Sequence, residues 1–134
     1  MGYHIIMDSV GDRIVELMTL NNFSVVPLRI IIDDEEIIDD NNMKQNVLLN
    51  KIATAKECPR SACPSPAEYQ SLFEKYKVDR IYVITASSEL TGSYNSAKLA
   101  KNLFLEKFPN SEIMVFDSRS ASAGETLLAY KIIE

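Results

Sequence analysis

Arg80-Ile81-Tyr82-Val83-Ile84-Thr85-Ala86-Ser87-Ser88-Glu89-Leu90-Thr91-Gly92-Ser93-Tyr94-Asn95-Ser96-Ala97 is the stretch that decides how this chain folds. Arg80 to Ala86 is mostly apolar and β-branched, which predicts a strand. Ala97, Leu99, Ala100, Leu103, Phe104 and Phe108 then recur at helical spacing as far as Pro109-Asn110. Between them lies a loop of Ser, Thr and Gly. A strand–loop–helix junction of this kind offers backbone N–H groups, hydroxyl donors and the positive end of a helix dipole. It predicts a site for an anion.

The flanking sequence repeats the alternation. Tyr3 to Met7 is a short apolar strand closed by Asp8-Ser9, and Ile14, Val15, Leu17, Met18 and Leu20 form a helical stripe ending at Asn21-Asn22. Phe23 to Ile32 is β-branched and predicts a second strand, with Pro27 marking a bend or an edge. Ile37-Ile38, beyond an acidic turn, can pair with that strand's end as a small hairpin. Met43, Val47, Leu48 and Ile52 predict a helix that ends before Cys58-Pro59, where a Pro/Ser loop runs to Pro66. Ser65-Pro66-Ala67-Glu68 is a helix start, with Ser65 as cap, Pro66 in the first position and Glu68 closing a capping box. Tyr69, Leu72, Phe73 and Tyr76 follow on one face, spaced as core. Ile113 to Phe116 predicts a further strand ending at Asp117-Ser118, and Ala121 to Glu134 a last helix.

Strands alternating with helices predict an α/β fold, a parallel sheet of about four strands flanked by helices with right-handed crossovers. Ligands of such sheets bind outside the carboxyl ends of the strands. Asp8-Ser9, Ser87-Ser88 and Asp117-Ser118 are therefore expected to converge on one rim.

Composition narrows the function. At 134 residues, 46% hydrophobic and 25% charged, the chain is expected to form a single α/β domain over residues 1–134 with its own core. No apolar run reaches the ~20 residues of a membrane span. The N-terminus lacks a basic flank, and Ile6 breaks the myristoylation pattern after Gly2, so a cytoplasmic protein is expected. A net charge of −5 without a basic cluster argues against nucleic acid. Asp33-Asp34-Glu35-Glu36 and Asp39-Asp40 lack the spacing and glycine of a calcium loop and read as a solvated turn. Cys58, Cys63 and a distant His4 do not make a zinc site, and two free thiols are expected. No metal or cofactor is expected.

Catalysis finds no machinery. His4 lies within the first strand, the Ser87–Gly92 stretch lacks a Gly-x-Ser-x-Gly elbow, and Lys98 lies about a turn too far along its helix to serve as a base. Thr91-Gly92-Ser93 lacks both glycine-rich nucleotide patterns. From the residues alone, two readings stand. One is a small α/β domain that binds an anion or phosphate; the other is a structural domain whose hydroxyls are only caps and turn formers.

Five motifs in order add to this. Asp8-Ser9, Val25-Val26-Pro27-Leu28, Ser61 to Pro66, Ser87 to Ala97 and Asp117-Ser118-Arg119-Ser120 span almost the whole chain. Together they resemble the DegV family of bacterial fatty-acid-binding proteins. The resemblance implies a non-catalytic carrier of one long-chain fatty acid, its tail in an apolar tunnel, presented to a partner kinase that makes the acyl phosphate for phospholipid synthesis. It implies that Ser61 and Thr91 hold the carboxylate, where the family has Thr and Ser respectively. Asp8, Ser9, Ser88, Gly92 and Ser93 form the supporting rim. Cys63 stands in place of a family Gln and Glu89 in place of a Gly, while Arg60 adds a cation beside Ser61. Hydroxyls beside helix-start N–H groups can hold a carboxylate without a salt bridge. At ~0.8 kcal/mol per buried methylene, the tail would dominate affinity and the head group would set orientation. The chain stops at Tyr130–Glu134 within a helical pattern and without a Gly or Asn terminator, which predicts a fragment, an isolated N-terminal domain, and the resemblance implies a normally two-domain protein whose second domain is absent here.

Overall fold

Four of the apolar, β-branched runs form one parallel sheet. The structure, a computed structural model, describes residues 2–76 and 80–134. β1 (Tyr3–Asp8), β2 (Phe23–Val26), β6 (Arg80–Thr85) and β7 (Glu112–Asp117) lie in the order β2-β1-β6-β7. β1 pairs Ile5 with Phe23 on one side and with Tyr82 on the other, and β6 pairs Ile81 with Ile113. The chain therefore builds outward from β1 in one direction and from β6 in the other. Their shared boundary is the switch point where such sheets bind ligands.

Alternation along the strands fills two cores. Ile6, Ile81, Val83 and Ile113 face α3 (Pro66–Lys75) and α4 (Ser93–Lys107), packing with Tyr69, Phe73, Ala97, Ala100 and Phe104. Ile5, Met7, Phe23 and Ile84 face the other way, onto Leu17 of α1 (Val15–Met18) and Ala129 of α5 (Ala123–Ile133). The rings of Phe73 and Phe104 meet edge to face at 5.6 Å between centroids, a favoured aromatic geometry. α3 opens with the expected capping box: Ser65 Oγ accepts from the Glu68 N–H at 3.3 Å, and Glu68 accepts from the Ser65 N–H at 2.7 Å.

Three expectations are corrected. The stripe from Ile14 to Leu20 forms one helical turn, because Val15 is 75% exposed and only Leu17 is buried. The predicted strand Phe23–Ile32 is two strands in two sheets. Pro27 ends β2, and β3 (Arg29–Ile32) joins a three-stranded antiparallel sheet, lying between β4 (Glu35–Ile38) and β5 (Arg60–Ala62). The hairpin of β3 with β4 (Glu35–Ile38) is as expected, turning at Asp33, whose φ is +52°. On the other edge of β3, where the sequence predicts a loop, Arg60–Ala62 forms a strand instead, with Ser61 opposite Ile30. α2 (Gln45–Thr54) buries no residue, and Lys51 pairs with Glu35 of the hairpin. Cys58 and Cys63 are free thiols. Among the described residues, no helix is long and apolar enough to cross a membrane.

Candidate functional site

The three polar strand ends meet at one rim, held by side chains that reach across it. Asp8, at the end of β1, is 0% exposed. Its carboxylate accepts from the Val10 N–H at 3.1 Å and, across the switch point, from the Ala86 N–H at 2.9 Å. Ser9 Oγ accepts from the Leu28 N–H at 2.9 Å, tying β1 to the start of the second sheet. Ser88 donates through both its N–H (3.1 Å) and its hydroxyl (2.6 Å) to Asp117. That hydroxyl, with the Arg119 N–H, holds the Asp117 carboxyl below its ordinary range. The loop after β7 carries left-handed backbone at Arg119 (φ +50°) and Ser122 (φ +56°), strain of a kind that clusters at functional sites. Asp8, Ser9 and Ser88 thus act as braces that shape the rim.

The two candidate head-group residues come from different elements. Ser61 is exposed in the middle of β5, and Thr91 is half-buried ahead of α4. Tertiary packing brings their segments together. A Cβ on Gly92 would lie 3.0 Å from Cys63 Sγ, so this position favours a residue without a side chain. One turn along, the Ser96 hydroxyl donates to the Pro64 carbonyl at 2.5 Å. The segment following Ser61 therefore rests on the start of α4. Thr91 Oγ1 accepts from the Ser93 N–H at 2.9 Å, which leaves its own hydrogen free to donate onward. Gly92, the N-cap, offers no side chain to the first-turn N–H groups of α4. Glu68 completes the scaffold: it takes the Ser65 N–H and a two-pronged contact from Arg29 at 3.1 and 2.6 Å, locking β3 to α3. Burial opposes the Glu68 charge, but these donors outweigh it and hold the carboxyl below its ordinary value.

Beneath the rim lie Ser93, one of the expected rim residues, Tyr69 of the expected core stripe, and Glu125, which the sequence alone does not mark. Ser93 Oγ and Tyr69 Oη are buried without a hydrogen-bond partner among the described residues. Burial pushes the Tyr69 phenol far up, with Asp8 adding to the rise and Ser93 opposing it. Glu125 of α5 is 0% exposed. Burial first, and Asp8 next, raise its carboxyl to about 9. Helical spacing carried the signal: Glu125 lies on the stripe of Leu128, Ala129 and Ile132, all packed inward. An acid in a first turn reads instead as a complement to the helix dipole.

A protein-family model described as an uncharacterised protein of the DegV family matches residues 3–134. A DegV domain-containing protein of Streptococcus gordonii is 37% identical over 98% of this chain and 47% of its own length. Among solved structures, a DegV-family protein of Ruminococcus gnavus with vaccenic acid superposes with a TM-score of 0.95 at 46% identity, over 99% of this chain and 47% of that one. The fatty acid kinase B3 protein of Streptococcus pneumoniae, loaded with linoleic acid, gives 0.87 at 34% identity, over 98% and 47%. These neighbours share the α/β fold, and the chain spans about half the length of the relatives it matches.

Proposed function

The chain belongs to the DegV family, and from that premise we propose that it binds the carboxylate of a long-chain fatty acid, with Ser61 and Thr91 as its donors. The observation that carries the proposal is the packing of the Ser61 segment onto the start of α4, through Cys63 on Gly92 and Ser96 on Pro64. It sets the segment after Ser61 against the start of α4, and hydroxyls beside helix-start N–H groups at the positive end of a helix dipole are suited to a carboxylate. The fatty acids in relatives that align over nearly the whole chain support the same reading.

In this reading the protein is a carrier without catalytic groups of its own. It presents the acid to a partner kinase for acyl-phosphate formation, a role suggested by the kinase-associated pneumococcal relative. The chain is then the head-group domain of a two-domain protein, the remaining half of the relatives' length closing over the rim and the tail running into an apolar tunnel. Neutral hydroxyl donors suit that task, because a carboxylate held without a buried cation stays available for transfer.

Mass spectrometry of this chain and of its two-domain parent, purified from bacteria, under native conditions and after solvent extraction, tests the proposal. A stoichiometric fatty acid is expected, and Ser61→Ala with Thr91→Val is expected to lose it while keeping the fold. A folded two-domain parent that carries no lipid, or a double variant of it that retains the lipid, overturns the head-group assignment and favours a phosphate-binding or structural domain.

A further inference from the structure

We propose that Glu125 is a positioning residue of the rim, a neutral carboxylic acid whose proton is donated to the Asp8 carboxylate and pins α5 to the end of β1. Both side chains are 0% exposed. Two ionised carboxylates offer each other only acceptors, which is why neither Glu125 oxygen has a partner among the described residues. One proton removes both difficulties, since it cancels a buried charge and supplies the missing donor.

The surroundings decide which acid carries it. Asp8 already has two backbone N–H donors on its oxygens, from Val10 and Ala86. Glu125 has no such donors. The groups that act on it are acids, Asp8 of β1 and Asp12 of the following loop, and both hold the proton on. From α3, the Tyr69 phenol faces the same cluster and is itself driven to its neutral form, first by burial. The shared proton belongs to a wider latch. Ser122 Oγ donates to Asp12 Oδ1 at 2.5 Å, Thr126 Oγ1 accepts from the Asp12 N–H at 3.1 Å, and Gly11 bridges Ser122. Gly124 permits it, because a Cβ there would strike Ser120 Oγ at 2.0 Å. By fixing Asp8, Glu125 fixes the Ala86 N–H and with it the start of the Ser87–Ser88 loop.

The proposal does not depend on what the rim binds, and its pH signature is specific. An unfolded Glu releases its proton near the ordinary value of 4.5, whereas the folded group keeps it to about 9. The contribution is complete at low pH and is lost as pH rises from 4.5 to about 9, because the folded state binds the extra proton across that window. Glu125→Gln keeps a donor toward Asp8 but does not titrate. The Tm of this variant relative to the native chain is expected to climb steadily across that range, and an offset that does not change with pH overturns the proposal. Should the variant not fold, infrared spectroscopy of the native chain at neutral pH decides. A protonated-carboxyl stretch that moves on carbon-13 labelling of glutamate but not of aspartate supports the assignment, and its absence overturns it.

Discussion

Ser88, Ser9 and Ser96 each carry a hydroxyl that could have met a ligand, and each is engaged by the protein instead. Ser88 holds Asp117, Ser9 caps the Leu28 N–H, and Ser96 grips the Pro64 carbonyl. Thr91 and Ser61 differ: the first still has a hydrogen to give and the second stands exposed on a strand. Residue type alone does not separate a brace from a binding group, because Ser and Thr donate and accept alike. His4 makes the same point for catalysis. It is 2% exposed, its Nε2 lies 3.0 Å from Ser24 Oγ, and its ring stacks on Tyr76 at 3.7 Å. Burial, then Lys75, lowers its pKa from 6.5 to about 4, so it is a neutral structural ring. That depression stabilises the fold above pH 6.5 and is lost as pH falls through about 4. The shift corresponds to about 3 kcal/mol. Thermal melts between those limits are expected to show the native chain losing stability faster than His4→Gln, and parallel curves would remove His4 from the acid response.

At the level of elements, α3 serves as an anchor for its neighbours. Its capping box was legible in Ser65-Pro66-Ala67-Glu68, since a cap needs only residues within one turn. Glu68 also holds Arg29 of β3, 39 positions away, and nothing local announces that contact. Ser65→Ala is expected to destabilise by about 1 kcal/mol, the usual loss for a removed cap. Glu68→Gln weakens the cap and the two-pronged Arg29 pair together. Urea unfolding is therefore expected to show a larger loss for it, by up to about 1 kcal/mol for a partly exposed ion pair. Equal losses would mean that the link between the second sheet and α3 adds nothing. The Glu68 contribution is present above its ordinary carboxylate range and fades as pH falls through its depressed folded value. Strand β5 escaped prediction for a related reason. Arg60–Ala62 is three residues beside a proline, too short for a period-two pattern, and it exists because β3 offers it an edge.

Across the whole molecule, one sheet separates two cores, and the rim stands where the strands from both sides end. Phe73 is 0% exposed and touches the rings of Tyr69 and Phe104, at the centre of the core formed with α3 and α4. Phe73→Ala is expected to cost about 3–5 kcal/mol, a large part of what a domain of this size has. Circular dichroism should then show the Tm falling by roughly 10–20 °C. A fall of only a few degrees would mean that the two helices are not bound by a continuous core. The sequence by itself determined the parallel sheet, the helices that cover it and the polar strand ends that meet at its rim. Periodicity, caps and strand ends depend on neighbours within a few positions, and those neighbours are read directly. The packing of the Ser61 segment on α4, the break at Pro27 into a second sheet and the buried place of Glu125 were decided only by the tertiary structure. Each rests on partners far apart in the chain, such as Ser96 with Pro64 at 32 positions and Asp12 with Thr126 at 114, and no local pattern encodes which distant surface will cover a residue.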